Sequence, residues 1–297
     1  MRSFLFRLII ILTSLFPLTW TRRFARSIAA LFWRFSKKHR HITNTNIALC
    51  YPQMDSEQQQ ILAKETVLEN TTSLFELGHI WRRHGTDINP LIQRIHNEEI
   101  LHQALAQGQG VLLAAPHLGN WEVLGLYLSA LERFSLLYKP PKDASIEHLI
   151  HHYRGQSGAN QITADSSGVK KILVALKQQH LIGILPDQQP KSGQGVFADF
   201  FGVPAYTMSL FSRIAAKTRT PVIMAAAIRT HKPAGFEIHF RQVSDDIYED
   251  TETSVAALNK AIQDMVAIAP SQYQWTYKRF SIQEGDNPYQ VKSKAAG

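Results

Sequence analysis

The chain reads as an α/β protein with a mostly parallel central sheet flanked by helices, preceded by a helical lead-in and an N-terminal membrane-anchoring helix. Three observations carry this reading. From Gly110 onward, short apolar runs alternate with helix-length segments, the rhythm of strand–helix–strand units. Before Gly110 the pattern is helical. At the very start, a strongly apolar stretch runs directly into a basic one.

The 297 residues suffice for a full core, and a single cysteine excludes an internal disulfide. Cys50 sits in a helical-looking run and reads as an inert buried thiol. The net charge of +8 is a local feature: Arg2, Arg7, Arg22, Arg23, Arg26, Arg34, Lys37, Lys38 and Arg40 all precede the first acid, Asp55. The rest of the chain is therefore close to neutral. Because these cations are interleaved with apolar residues, anionic lipid is the expected partner and nucleic acid is not.

Residues 3–20 are apolar except for Arg7 and are marginal for a spanning helix of roughly 20 residues, with Pro17 near the end. They lack a small-residue cleavage site and run into Arg22-Arg23, which argues against a signal peptide. Residues 22–38 read as an amphipathic helix, with Phe24, Ile28, Leu31, Phe32 and Phe35 on one face and Arg22, Arg23, Arg26 and Lys37 on the other. Such a helix prefers the headgroup boundary; its alternative is a core helix with a solvated basic face. Residues 1–40 are assigned to membrane attachment and 41–297 to the main domain. Helices follow at 44–50, 56–77 and 98–107.

Strands are expected at 111–115, 134–138, 161–164, 181–185, 222–229 and 237–243, and helices at 121–131, 146–154, 168–179, 208–217 and 253–269. The short turn at Pro233-Ala-Gly235 makes the last two strands an antiparallel hairpin. Residues 186–207 read as a long loop, and the polar tail after Phe280 as loosely held.

The strand at 111–115 breaks at Pro116, exposes His117 and Gly119, and re-enters a helix capped by Asn120, with Glu122 in its first turn. His117 and Glu122 converge only across that turn. A carboxylate there accepts a proton from one ring nitrogen and leaves the other as a base. No nucleophile lies between them, so the base must act on a substrate hydroxyl. The bland alternative is a satisfied histidine at a strand end. Arg154 could grip a phosphate or be a surface arginine, and Lys139 is equally ambiguous. Asp187, just past a strand end, could orient Arg154 or a substrate amide, or simply cap its loop. His148, His151 and His152 have metal-like spacing but no third ligand set, so no metal is assigned. Val196-Phe197 and Phe200-Phe201 could line an acyl slot, meet a bilayer or fill the core.

His-Leu-Gly-Asn-Trp-Glu at 117–122 resembles the His-x4-acid box of glycerolipid-type acyltransferases, in the form typical of the bacterial lipid A late acyltransferases. Further blocks are similar to that family in the same order: Asn46-Ile-Ala-Leu-Cys-Tyr-Pro-Gln-Met, Tyr138-Lys139-Pro140, Arg154, Pro186-Asp187-Gln188-Gln189, Gly195-Val-Phe-Ala-Asp-Phe-Phe-Gly202, and Gln272-Tyr-Gln-Trp-Thr-Tyr-Lys-Arg-Phe280. Gln189 stands where the family has a second acid, and Lys139 where it has arginine. The Glu-Gly-Thr-x-Arg signature of the phospholipid branch is absent.

The resemblance implies transfer of a fatty acyl chain, lauroyl or myristoyl, from acyl carrier protein to a hydroxyl of a lipid A precursor, without a cofactor or an acyl-enzyme. It makes His117 the base and Glu122 its orienting carboxylate, with Asn120, Tyr138, Lys139, Arg154 and Asp187 as the substrate-binding set. It also implies a bacterial inner-membrane location with the catalytic domain on the cytoplasmic side. The alternatives are an acyltransferase using acyl-CoA or acyl carrier protein on another membrane glycolipid, and a non-catalytic lipid-binding protein.

Overall fold

The computed structural model describes residues 2–290 except 85, 132, 142 and 284–286. The lead-in is four helices: α1 (Arg2–Leu15), α2 (Leu18–Phe35), α3 (Lys37–Cys50) and α4 (Ser56–Leu77), the last running into a π-helical turn at Gly78–Arg83. Asp55 caps α4 in a full capping box with Gln58.

A seven-stranded sheet follows, in the order β1-β9-β8-β2-β5-β3-β4. Its strands are β1 (Ile92–His96), β2 (Val111–Ala114), β3 (Phe134–Tyr138), β4 (Asn160–Thr163), β5 (Leu181–Ile184), β8 (Val222–His231) and β9 (Ala234–Gln242). The one antiparallel pairing is the β8–β9 hairpin; every other neighbour is parallel. Helices α5 (Glu98–Ala106), α6 (Trp121–Leu131), α7 (Ala144–Gly155), α8 (Ser166–Lys177), α9 (Leu210–Thr218) and α10 (Thr251–Val266) complete the layers. β2 and β5 are buried at every position, as central parallel strands covered on both faces must be.

Three expectations are corrected. The stretch 186–207 is not all loop: Gly195–Phe200 (β6) and Val203–Met208 (β7) pair as a separate antiparallel hairpin. It buries Phe200 against Tyr273, Trp275 and Phe280, so Phe200 serves the core, and Phe201 packs beside it on Tyr51 and Trp275. The strand β1 was also missed, because Ile92–His96 carries only two apolar residues. Finally, the described part of the tail is tied down: Tyr289 is buried, accepts a hydrogen bond from the Phe280 amide and donates to the Asn46 side chain. Residues 284–286 and 291–297 lie outside the described residues.

At the N-terminus, α1 has 14 residues and ends before Pro17, a length of about 21 Å against a hydrocarbon core of about 30 Å. No helix among the described residues is long and apolar enough to cross a membrane. Proline is the reason: it separates α1 from α2 and divides the apolar run. α2 packs on α4 through Thr21, Arg22, Ala25 and Ala29, the face expected to be basic. Its apolar side chains Phe24, Leu31 and Phe35 point outward, at 59%, 57% and 70% exposure.

Arg22 and Arg26 are thereby removed from any basic surface. Arg22 bonds Glu76 at 2.7 Å, and Arg26 bridges Glu65 and Glu69. Arg229 from β8 reaches both Glu69 and Glu76. Burial alone would raise the Glu76 carboxyl, but Arg229 and Arg22 bring it down to about 2. Glu76 also accepts from the Asn120 side chain at 3.0 Å, so this buried ion network braces the loop that carries His117.

Candidate active site

The His117 loop leaves the C-terminal end of β2 and is held on three sides. Gly119 has φ +63°, and a Cβ there would stand 2.0 Å from the Ala227 carbonyl oxygen, so only glycine fits. Asn120 donates from its amide to Ala227. Gly119 donates to the Gln272 carbonyl, and Gln274 donates to the His117 carbonyl. The Asn120 side chain then accepts from the Glu122 amide at 3.2 Å and starts α6.

The structure exchanges the expected partners. His117 Nδ1 lies 2.8 Å from Asp187 Oδ1, and the His117 amide donates to Asp187 Oδ2 at 2.9 Å. Glu122 instead receives Arg154 through Nε and Nη2, and the indole N–H groups of Trp81 and Trp121 at 3.1 Å each. Register explains the first pair. β2 and β5 are adjacent and parallel with Ala114 opposite Ile184, and His117 and Asp187 each follow three residues beyond. Helix entry explains the second, since α6 begins at Trp121 and carries Glu122 under the helix toward the end of α7.

Asp187 is fully buried. Burial raises its carboxyl, but the facing His117 ring holds it below the usual carboxylate range. A carboxylate on Nδ1 places the proton there and leaves Nε2 as the acceptor. The Gln188 amide nitrogen sits 3.3 Å from Nε2 and is itself held by Gln274 Oε1 at 2.8 Å. Buried Tyr273 faces the other side of Asp187, and burial together with that charge keeps its hydroxyl protonated.

His117 opens into a polar pocket shared with Asn70, Ser73, Trp121, Gln272 and Gln274. The Ser73 hydroxyl points at the carbonyls of Glu69 and Gly119 and accepts from Arg229, so it is engaged away from His117. Burial raises the Cys50 thiol, which keeps it inert. Neither side chain therefore supplies a nucleophile beside His117.

The remaining expected site residues divide. Arg154 belongs to the site through Glu122. Burial would push Glu122 up, but the Arg154 charge and its hydrogen bonds hold the carboxyl down. Tyr138 is half-buried at the end of β3; burial, then nearby Glu147, raises its hydroxyl pKa while Arg154 opposes them. Lys139 is exposed. Asn120 is buried with both ends of its amide bonded to protein, so it braces the loop. Gln189 bonds Ser281 and Tyr277, so that departure from the family pattern lies outside the His117–Asp187 contact.

Among the described residues, the one metal-like group is His96, Glu237 and His239, on β1 and β9; the His148, His151 and His152 set does not form one. Sequence reading passed over Trp81, Glu76, Gln188 and Gln274. Glu69, Thr72 and Glu76 recur at core spacing on α4 and are buried, a signal that those acids have buried cations to meet.

Comparison with known proteins identifies the family of the chain. The profile of the family described as bacterial lipid A biosynthesis acyltransferase matches residues 2–281. The lipid A biosynthesis palmitoleoyltransferase of Escherichia coli K12 is 23% identical over 257 residues, covering 85% of this chain and 82% of that protein. The lauroyltransferase of the same organism is 24% identical over 261 residues, covering 87% and 84%, and its myristoyltransferase is 22% identical over 249 residues, covering 82% and 76%. With the match spanning nearly the whole chain, the protein belongs to the bacterial lipid A biosynthesis acyltransferase family and is an acyltransferase.

Proposed function

We propose that the protein transfers a lauroyl- or myristoyl-class chain from acyl carrier protein to a hydroxyl of a lipid A precursor, with His117 as general base and Asp187, in place of Glu122, as its orienting carboxylate. The observation that carries the mechanism is the Asp187–His117 contact with Nε2 facing a polar pocket. The acceptor hydroxyl gives its proton to Nε2 while its oxygen attacks the thioester carbonyl. The tetrahedral oxyanion collapses, the C–S bond breaks, and the leaving thiolate takes the proton back from His117. No acyl-enzyme forms.

The N-terminal pair of helices supports a membrane role. α1, α2 and the turn between them expose Phe4, Leu5, Leu15, Phe16, Trp20, Phe24, Leu31 and Phe35, with Arg7, Arg23, Arg34, Lys37 and Lys38 on the same two helices and the start of α3. An apolar face bordered by cations lies in the interface of an anionic leaflet. In this reading the domain rests on the cytoplasmic face of the inner membrane, where its lipid acceptor lies.

The test is purified protein with lauroyl- and myristoyl-acyl carrier protein and a lipid A precursor in mixed micelles, followed by mass spectrometry. A product gaining one acyl mass, absent with His117→Ala, is expected. Transfer by His117→Ala at the wild-type rate would overturn the mechanism. Activity only on a different glycolipid would move the acceptor. For the membrane, Phe24→Glu/Phe35→Glu is expected to lose flotation with anionic vesicles.

A further inference from the structure

Two imidazoles and one carboxylate cluster apart from the His117 site, at the edge of the main sheet. β1 and β9 are parallel, with His96 opposite His239, and Glu237 precedes His239 by two residues on the same face of the strand. The other face of β9 buries Phe236, Ile238 and Phe240, which leaves Glu237 and His239 half-buried on the open one. Asn97 fixes the position of His96. It follows in the left-handed region, and its side chain donates to the Phe240 carbonyl at 3.2 Å, which pins the end of β1 against β9.

Both rings aim at one oxygen. His96 Nε2 lies 2.8 Å and His239 Nε2 3.7 Å from Glu237 Oε2, and one ligand atom from each residue lies within 4.8 Å of the others. Around a tetrahedral zinc, with bonds of about 2.0–2.2 Å, two imidazole nitrogens and a carboxylate oxygen stand about 3.3 Å from one another and leave a fourth position to water. The observed 2.8 and 3.7 Å bracket that spacing. The rings lie face to face, 4.1 Å between centroids and 9° between planes, so they must tilt apart for both nitrogens to converge on one ion. Side chains 27% and 15% exposed at a sheet edge are not locked in the core against that tilt.

The charges also suit a metal ligand set. Burial, then the neighbouring charge of His96, lowers the His239 ring to about 4, so at neutral pH it is uncharged with a lone pair to give. Glu237 supplies the opposite charge that a cation needs. Arg241 and Arg94 oppose a cation, but both are exposed side chains that water and salt screen.

We infer that His96, Glu237 and His239 form a zinc site that clips β1 to β9. β1 is the outermost strand, pairs with β9 alone, and has its register interrupted between Ile92 and Arg94, so a metal bridge ties down an edge held from one side only. Mixed nitrogen and oxygen donors suit zinc rather than magnesium or calcium, which take oxygen ligands. The clip has a route to the rest of the sheet. Ile238, between the two β9 ligands, pairs with Ala227 of β8, and Ala227 bridges Gly119 of the His117 loop. The zinc site stands independently of how His117 works.

The experiment titrates metal-free full-length protein, carrying no histidine tag, with zinc chloride alone by calorimetry at neutral pH and follows thermal unfolding. Wild type is expected to bind one zinc and to unfold at a higher temperature with it. His96→Ala, His239→Ala and Glu237→Gln should each lose about tenfold or more in affinity, since even residues that only support ligands are worth that much. His148→Ala/His152→Ala, on α7, should bind as wild type does. Arg94→Gln/Arg241→Gln should bind zinc more tightly, a gain that a misfolded variant does not produce. X-ray absorption of the wild-type zinc complex should count two imidazoles. No binding by wild type, binding undiminished in the three ligand variants, or binding lost only in the α7 variant would overturn the inference.

Discussion

Two carboxylate-centred pairs stand within one loop and helix of each other, and they are built for opposite ends. Asp187 grips His117 twice, through its ring and its backbone amide, and leaves the far ring nitrogen facing Gln188 and a pocket. Glu122 is saturated: two arginine nitrogens and two indoles occupy both its oxygens. A carboxylate with all its lone pairs taken holds structure, whereas one that holds a ring from its Nδ1 side leaves Nε2 turned toward Gln188 and the pocket. The box His-x4-Glu therefore contains one member of each pair.

The largest expected effect lies in the first pair. His117→Ala should cost about 10²–10⁴-fold in kcat, the range for a positioned general base, with unfolding behaviour retained. Asp187→Asn should fall in the same range, because it unsettles the tautomer, and should alter the shape of the pH–rate profile. Glu122→Gln should leave that shape intact. If Glu122→Gln reshapes the profile and Asp187→Asn does not, the assignment of the two carboxylates is reversed.

The partner exchange also marks what the sequence could and could not carry. The alternation after Gly110 gave the sheet and its helices because buried parallel strands and amphipathic helices leave separate periods. His117, Pro116 and Gly119 were legible because a strand end, a helix breaker and a required glycine are local facts. Asp187 as the partner of His117 was not, because it depends on β5 lying beside β2, and strand order leaves no mark on either strand. Arg22 was misread for a related reason. Its helix is amphipathic as expected, but the side turned inward is the one with arginines, since Glu69 and Glu76 of α4 wait there. Periodicity identifies two faces and does not say which one the partner helix neutralises.

In the second pair, Glu122→Ala should destabilise the fold by about 3–5 kcal/mol, the cost of stranding a buried charge. Denaturant unfolding measures it. Glu122→Gln combined with Arg154→Met should recover much of that loss, since removing both charges is near neutral. Additive losses in the double variant would mean that the two side chains do not depend on each other.

Acid should weaken the neighbouring ion network and the two site carboxylates together. Glu76 is held at about 2 in the fold, below its ordinary 4.5. A depressed carboxyl contributes stability that is fully present above the unfolded value and is lost as pH falls through the folded one. The unfolding free energy should accordingly decline from about pH 4.5 downward and keep declining toward pH 2, by a few kcal/mol. Glu122 and Asp187 are shifted in the same direction and steepen the slope. A curve flat below pH 4 would contradict the ion network that braces the loop.

The smallest effect separates a glycine of the His117 loop from one inside α6. Gly125→Ala adds a Cβ into open space on a helix interior, where alanine is favoured over glycine by about 0.8–1 kcal/mol. The variant should be more stable by about that amount in denaturant unfolding. Gly119→Ala should be destabilised instead, because its Cβ would strike the Ala227 carbonyl and its φ disfavours any side chain. Two glycines six residues apart would then respond with opposite signs. A stabilised Gly125→Ala would show that α6 carries a weak point at this glycine. A destabilised one would contradict the open space beside Gly125.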